Sequence, residues 1–302
     1  MLLLSGCAKT ASPTREPRPV PEPLGAVSLT SEHGYLDDYG LPTALVKVGT
    51  SAPLRLLVDT GSVGLRVIES DLSVTARETM LCEQRVETTA TFDDGLKLTG
   101  VEAEAKFEIG GLTTASLVPL QLVQSISCLA EMPCPSNYYR VNGKGSGLEG
   151  VLGIGLAPSN VGLPNVLEDL PGRYGNSWSI HMVRGKGGEL LLGAFSTPST
   201  MSVIHLRRKV EPGDEPDTWD DSPSLCWAVG NQSFCGVPSF DSGSNFSTFA
   251  NNTALRLSKY HAPPFGSHAK VLNAGIRVSL HYLSQVENFG LFSLVTSPAT
   301  TK

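Results

Sequence analysis

The amino-acid sequence predicts an all-β protein of two domains. Glycine and proline are plentiful, with 31 and 21 residues among 302, and charged residues make up only 17% of the chain. Short apolar runs alternate with turn residues, and no long amphipathic helix is apparent. This combination favours many short strands joined by tight turns, and the length suits two domains of ordinary size.

The first 24 residues predict a lipid anchor followed by a spacer. Leu4-Ser5-Gly6-Cys7 matches the pattern that marks bacterial lipoproteins, in which the cysteine becomes the lipidated first residue. The apolar segment before Cys7 is too short for a signal, so either the natural start lies upstream or the match is accidental. We favour the first explanation because the proline-rich residues 8–24 form an extended tether.

This N-terminal pattern predicts where the protein resides. Lipid on Cys7 would hold it at a membrane, and Ala8 is compatible with sorting to the outer membrane. We therefore expect an outer-membrane lipoprotein on the periplasmic side of a bacterial cell envelope.

Two similar motifs organise the rest of the chain. Residues 41–67 predict two strands joined at 49–53, and the second strand delivers Asp59 into Asp59-Thr60-Gly61-Ser62. Much later, Phe240-Asp241-Ser242-Gly243-Ser244 repeats the pattern of an apolar residue, a carboxylate, a hydroxyl residue, a glycine and a serine. One such motif is typical of a surface turn, but two copies, each entered from an apolar position, point to a paired site.

Two such loops facing each other would bring the Asp59 and Asp241 carboxyls into hydrogen-bonding distance. Like charges that close cannot both ionise, so the pair shares one proton. The ionised member can then activate a water while the protonated member polarises a carbonyl, which predicts Asp59 and Asp241 as catalytic residues of an aspartic endopeptidase. Because a coupled pair titrates as a unit, the sequence does not tell which member holds the proton.

The remaining motif residues are predicted to support the two carboxyls. We expect the Thr60 and Ser242 hydroxyls to buttress the opposite loop, and Gly61 and Gly243 to let backbone N–H groups approach the carboxylates. Two serines are expected to hydrogen-bond the outer carboxyl oxygens of their own loops, Ser62 for Asp59 and Ser244 for Asp241. No cofactor is implied.

These motifs resemble the pepsin-like aspartic peptidases. In that family each lobe gives one Asp-Thr/Ser-Gly loop and one apolar-apolar-Gly strand crossing behind it, and Val151-Leu152-Gly153 is similar to such a strand. The likeness covers roughly residues 40–295. Residues 63–67 and Asn245-Phe246 look closer to a little-characterised bacterial branch of secreted or lipoprotein members.

The resemblance implies a bilobal fold, with two related β-barrel-like lobes and a central cleft. The N-terminal lobe would span residues 25–175 and the C-terminal lobe residues 176–302, opening with a hairpin at 178–195. It also implies a polypeptide substrate and a monomer.

The region that carries the flap in this family departs from the family pattern. Residues 86–123 predict antiparallel strands with turns at 93–95 and 110–111. Phe92 or Asp93 stands where the family usually has a tyrosine, and Arg66 replaces its tryptophan. We expect Phe92 to act as an apolar lid. The departure leaves a rival function open, that of a non-catalytic cell-envelope binding protein on the same scaffold.

The six cysteines fit an oxidising compartment. Cys226 and Cys235 flank a short loop, and Cys128 and Cys134 flank a proline-containing loop, so these are the predicted disulfides. Cys82 is left over, although it could displace either partner of the second pair.

The end of the chain resembles the family least. A short helix is expected within residues 158–174, and strands at 269–278, 280–286 and 289–295. The best candidate for a second apolar-apolar-Gly strand is 288–291, and few residues follow it, so the second lobe is expected to be a compact variant or truncated.

Several other functions find no support in the sequence. The net charge of −6 argues against nucleic-acid binding, and no apolar stretch is long enough for a transmembrane helix. The six histidines lack metal-ligand spacing, no Gly-x-Ser-x-Gly motif is present, and the acidic residues 214–221 lack the alternation of a calcium loop. No metal site is predicted.

Overall fold

A computed structural model defines the architecture of the larger part of the chain. It describes residues 25–32, 41–80, 86–92, 94–130, 134, 136, 139–140, 147–157, 162–183, 186–193, 206–208, 219–220, 225–229, 232–236, 238–239, 241–244, 248–249, 260–261, 271–272, 277–282 and 291–295. Predictions made on the 1–24 anchor and tether, Cys7, Cys82, Asp93, Asn245-Phe246 and residues 288–290 lie outside this part.

The predicted dominance of β-structure is confirmed by a twelve-stranded mixed sheet. Its strands are β1 Gly25–Glu32, β2 Leu41–Val48, β3 Leu54–Asp59, β4 Val63–Ile68, β5 Glu87–Thr91, β6 Leu96–Ala105, β7 Phe107–Ile109, β8 Leu112–Thr113, β9 Val118–Cys128, β10 Gly150–Ile154, β11 Trp178–Val183 and β12 Gly187–Leu192. They run in the order β11-β12-β1-β2-β3-β10-β4-β9-β6-β5, with β7 paired to β2 and β8. The hairpins expected within residues 41–67 and 86–123 are present.

Strand β10 occupies the centre of this sheet. It pairs in parallel with β3, where Gly153 lies opposite Asp59, and antiparallel with β4, where Gly153 lies opposite Gly64. The loop that carries Asp59 therefore leaves and re-enters the sheet on the two sides of one strand. All six residues of β4 and all five of β10 are buried, so the base of this loop is held by packed backbone on both sides.

Two apolar clusters form the core around the sheet. The larger includes the inward residues of β2, β3 and β9 together with Ala76 and Met80 of a helix, and the smaller contains Leu57, Tyr139 and Val151 with Phe92 packed against it. The two faces of the central strands are thus both covered, which accounts for their near-continuous apolar sequences.

Little of the described chain is helical. The helix α1, Val74–Met80, was not predicted from the sequence, and short 3-10 helices lie at Glu69–Asp71 and Val166–Asp169. The last of these is the helical segment expected within residues 158–174, reduced to a single 3-10 turn. The Asn165 side chain accepts a hydrogen bond from the Leu167 N–H at 3.1 Å, which caps this turn.

The hairpin at 178–192 extends the large sheet beyond β1, with β12 next to β1 and β11 at the edge. Strand β12 pairs with β11 and with β1, so the hairpin expected to open the second lobe continues the sheet that holds Asp59.

The later part of the chain adds smaller sheets. Its strands are β13 Arg207–Arg208, β14 Trp219–Asp220, β15 Leu225–Val229, β16 Gln232–Gly236, β17 Pro238–Ser239, β18 Thr248–Phe249, β19 Tyr260–His261, β20 Val271–Leu272, β21 Arg277–Tyr282 and β22 Leu291–Val295. Four of them form a sheet in the order β16-β15-β21-β22, and the others pair as β13-β14, β17-β18 and β19-β20.

Both predicted disulfides are confirmed. Cys128 and Cys134 close a short loop at the end of β9, with their Cα atoms 5.5 Å apart. Cys226 and Cys235 lie opposite each other on β15 and β16 and join that hairpin.

Candidate active site

Asp59 ends strand β3 with its carboxyl group held by its own loop. The side chain is only 4% exposed. Its Oδ1 accepts a hydrogen bond from the Gly61 N–H at 2.8 Å, and the Ser62 hydroxyl donates to Oδ2. These bonds fix the orientation of the carboxyl group.

The loop that carries Asp241 repeats part of this arrangement. The Gly243 N–H donates to Asp241 Oδ1 at 2.7 Å, as the Gly61 N–H does to Asp59. The Ser244 N–H donates to the Asp241 carbonyl oxygen at 3.3 Å, which closes the turn. Asp241 is less deeply buried than Asp59.

Reciprocal hydrogen bonds interlock the two loops. The Ser242 N–H donates to Thr60 Oγ1 at 2.9 Å, and the Thr60 N–H donates to Ser242 Oγ at 3.0 Å. The Ser242 hydroxyl in turn donates to the Val58 carbonyl oxygen at 2.7 Å. Each hydroxyl residue therefore supports the backbone of the opposite loop. Together these hydrogen bonds fix the position of one loop relative to the other.

Glycines allow the loops to approach closely. A Cβ atom on Gly61 would lie 2.4 Å from Asp241 Cγ, and one on Gly243 would lie 2.6 Å from Asp59 Oδ1. Any side chain at either position would displace the opposing carboxyl. The structure thus packs each aspartate against the glycine of the other motif.

The two carboxyl groups are hydrogen-bonded to each other and titrate as a coupled pair. The pKa of Asp241 is raised to about 7, first by burial, then by the charge of Asp59 and the hydrogen bond to it. The backbone N–H groups of Gly243 and Gly61 partly oppose this rise. At mildly acidic pH the pair therefore keeps one proton between its two carboxyls, which places an acid and a base side by side.

Two further side chains interact with the charge of Asp59, and a third covers one of them. The Arg66 guanidinium is buried and interacts with the charge of Asp59, and the Phe92 ring covers it with 5.5 Å from the guanidinium carbon to the ring centroid. Burial, followed by the charge of Asp59, raises the pKa of Tyr139 above its ordinary value. Tyr139 therefore remains a neutral phenol near the pair.

Sequence reasoning did not identify Tyr139 or the role of Arg66 beside Asp59. The sequence did contain a signal for Arg66, because it is a charged residue within an apolar strand. A buried arginine is rare unless it is paired with another group. Tyr139 carries no comparable signal.

Within the described residues, no group of three or more histidine, cysteine, aspartate or glutamate side chains could hold a metal ion. No helix in that part of the chain has the length and apolar character needed to cross a membrane.

Comparison with known proteins gives one similarity. Residues 54–175 match a family described as "Protein of unknown function (DUF3443)". The match spans less than half of the chain and includes Asp59, Arg66, Phe92 and Tyr139, but it ends before Asp241. No curated protein matches the chain.

Proposed function

We propose that this protein is an aspartic endopeptidase that hydrolyses peptide bonds in polypeptides with the Asp59–Asp241 pair. One observation carries the proposal: two carboxyls from motifs far apart in the chain share a hydrogen bond. The Thr60 and Ser242 contacts that lock their loops together join residues 182 positions apart. A chance pair of surface turns would have no reason to interlock in this way.

A pair that shares one proton supports a specific course for the reaction, with Asp241, whose pKa is raised, as the acid. The Asp59 carboxylate takes a proton from a water, whose oxygen attacks the carbon of the scissile carbonyl. Asp241 gives its proton to the carbonyl oxygen, which yields a neutral gem-diol. The proton now on Asp59 then passes to the amide nitrogen and the C–N bond breaks. A gem-diol proton returns to Asp241 as the carboxylic acid forms, so the pair ends as it began.

The proposal includes a pepsin-like arrangement of two lobes, residues 25–175 and 176–302, with one aspartate from each and substrate between them. It is supported by the place of Asp59 in the large sheet and of Asp241 in the part that forms the smaller sheets. A further support is that β10, which contains the apolar-apolar-Gly sequence, pairs with β3 and β4 on either side of the Asp59 loop.

We also propose that the protein works as a monomer, anchored through lipid on Cys7 to the periplasmic side of a bacterial outer membrane. The lipoprotein pattern at Cys7 and the proline-rich tether of residues 8–24 support this. The two disulfides fit an oxidising compartment.

The test of the reaction is cleavage of an unfolded protein between pH 4 and 7. Asp59→Asn and Asp241→Asn should each lower kcat/KM by about a thousandfold or more, because each removes one partner of the proton transfer. Glu78→Gln, an exposed carboxylate on α1, is the matched control and should cleave like the parent. Full activity in either aspartate variant, with circular dichroism showing an intact fold, would rule out the paired mechanism.

A second candidate function is a non-catalytic binding protein for extended polypeptides. The buried Arg66 covered by Phe92 beside Asp59 favours it, since this pair replaces the family's flap tyrosine and tryptophan. Here the parent would bind an unfolded chain without cleaving it, and Asp241→Asn would bind with the same affinity. Cleavage by the parent decides against this alternative.

A further inference from the structure

Arg66 is a buried cation that the reaction described above does not use. It lies on β4, is 2% exposed, and is among the largest fully buried side chains. Its Nη1 donates to the Gly64 carbonyl oxygen at 3.2 Å, while its Nε has no hydrogen-bond partner within the part of the chain that the structure describes. A guanidinium so poorly compensated by hydrogen bonds needs another source of stabilisation.

That compensation comes from charge and from an aromatic ring. Of the residues whose burial is described, Asp59 and Arg66 are the two charged residues that are buried as a whole, and their charges attract each other. Burial is the main influence on the pKa of Arg66 and lowers it, whereas the charge of Asp59 raises it. The face of Phe92 covers the guanidinium, an arrangement that stabilises a cation and keeps water away from it.

Few other titratable groups act on this site. Asp241 and Asp94 interact electrostatically with Tyr139, and Tyr139 with Arg66. On β9 the register partner of Arg66 is the neutral Gln121, and β10, on its other side, contains no titratable residue. The charge of Arg66 therefore acts on the Asp59–Asp241 pair in a surrounding of low polarity, where it is weakly screened.

We propose that Arg66 is a positioning residue that moves the pH range in which the Asp59–Asp241 pair is singly ionised to lower pH, with Phe92 shielding the guanidinium from water. The inference rests on the proposed function, for which the singly ionised pair is the working state. Arg66 lies behind Asp59 and acts through it, without a step of its own in proton transfer.

The sign of the effect follows from electrostatics. A fixed positive charge favours the single anion over the neutral pair and the double anion over the single anion, so it lowers both apparent pKa values of the pair. Removing the charge should move both upward. Arg66→Met keeps an unbranched side chain of similar length in the same apolar surroundings, so the variant tests the charge with little loss of packing.

The experiment is a pH titration of the pair by ¹³C NMR in protein labelled at aspartate Cγ, with the two signals assigned through Asp59→Asn and Asp241→Asn. In Arg66→Met we expect both apparent pKa values to rise by about one pH unit. Both limbs of the pH profile of kcat/KM for peptide cleavage should move to higher pH by the same amount. Arg66→Lys keeps the charge and should titrate close to the parent, which a purely structural role would not predict.

An unchanged titration in folded Arg66→Met would overturn the proposal. If that variant does not fold, Phe92→Leu replaces it, because loss of the ring admits water to the guanidinium and should raise the same pKa values by a smaller amount. An unchanged titration in folded Phe92→Leu would equally overturn it.

If the parent cleaves no peptide, the proposed function fails while the titration still tests Arg66. If the parent cleaves and the titration does not move, only the inference about Arg66 fails.

Discussion

At the scale of single residues, the absence of a Cβ atom from Gly61 and Gly243 sets the distance between the two aspartates. Each glycine lies against the carboxyl of the opposite loop, at distances that no β-carbon could occupy. The N–H groups of the same two residues donate to the carboxyls. Glycine at these positions thus lets the opposite carboxyl come close and also donates hydrogen bonds from its N–H group. A larger residue would push the opposite carboxyl away.

Gly61→Ala should therefore strongly reduce peptide cleavage with only a modest loss of stability. The new Cβ would lie 2.4 Å from Asp241 Cγ and 2.7 Å from both of its oxygens, and a carboxyl side chain can turn away at little cost to the fold. We expect kcat/KM to fall by about a hundredfold or more, because a small displacement of the acid breaks the shared hydrogen bond.

Gly111→Ala serves as the control for the added methyl group, since a Cβ there meets nothing within 4 Å. It should cleave like the parent despite some strain at its φ of +80°. Parent-like cleavage by Gly61→Ala would show that the carboxyls need not touch.

At the scale of elements, a buried glutamine ties the β5–β6 hairpin to the sheet. Gln121 on β9 is fully buried, and its Nε2 donates to the Thr88 carbonyl oxygen of β5 at 3.0 Å and the Leu98 carbonyl oxygen of β6 at 3.3 Å. Strand β5 is the edge of the sheet and pairs only with β6 in the described part of the chain. The hairpin that carries Phe92 thus depends on one side chain of the neighbouring strand for part of its stability.

Gln121→Met should loosen this edge selectively. Losing the donor to Thr88 costs about 1.4 kcal/mol of local stability, equivalent to about tenfold faster hydrogen exchange for the amides of β5. Exchange in β2, on the far side of β3, is the internal control and should not change. Equal protection of β5 in the parent and the variant would show that Gln121 does not hold the hairpin.

At the scale of the whole molecule, the Asp59–Asp241 contact links folding to pH. The later part of the chain reaches the large sheet through the loops around Thr60 and Ser242, and the pair they enclose holds a proton that the unfolded chain would release. The pKa of Asp241 is about 7 in the folded protein against an ordinary value of 3.8, so the folded state binds the proton more tightly. Its contribution to stability is complete below about pH 4 and is lost as the pH rises through about 7.

The free energy of unfolding of the parent should therefore fall between pH 4 and 7, and Asp241→Asn should remove much of that slope. The upper bound of the effect is about 4 kcal/mol, from roughly three pH units at about 1.4 kcal/mol each. Urea unfolding at pH 4, 5.5 and 7 measures it, with Glu78→Gln expected to keep the slope of the parent. Identical slopes in the parent and in Asp241→Asn would mean that Asp241 is not protonated in the folded state.

Much of the local structure was predictable from the sequence because it depends on near neighbours. The hairpins on either side of 49–53 and at 110–111, and both disulfides, follow from alternation, turn residues and short cysteine spacings. The same holds for the candidate aspartates, since a carboxylate followed by a hydroxyl residue and a glycine is a local pattern.

What only the tertiary structure decided depends on contacts between distant parts of the chain. Burial and the neighbouring Asp59 raise the pKa of Asp241, and no local pattern contains either influence. The same is true of Tyr139 beside the pair and of the hairpin at 178–192, which joins β1. Arg66 is visible in the sequence as a charged residue within an apolar strand. Its interactions with Asp59 and Phe92 exist only once the sheet has formed. The physical reason is that desolvation and the strength of charge–charge interactions depend on the assembled interior.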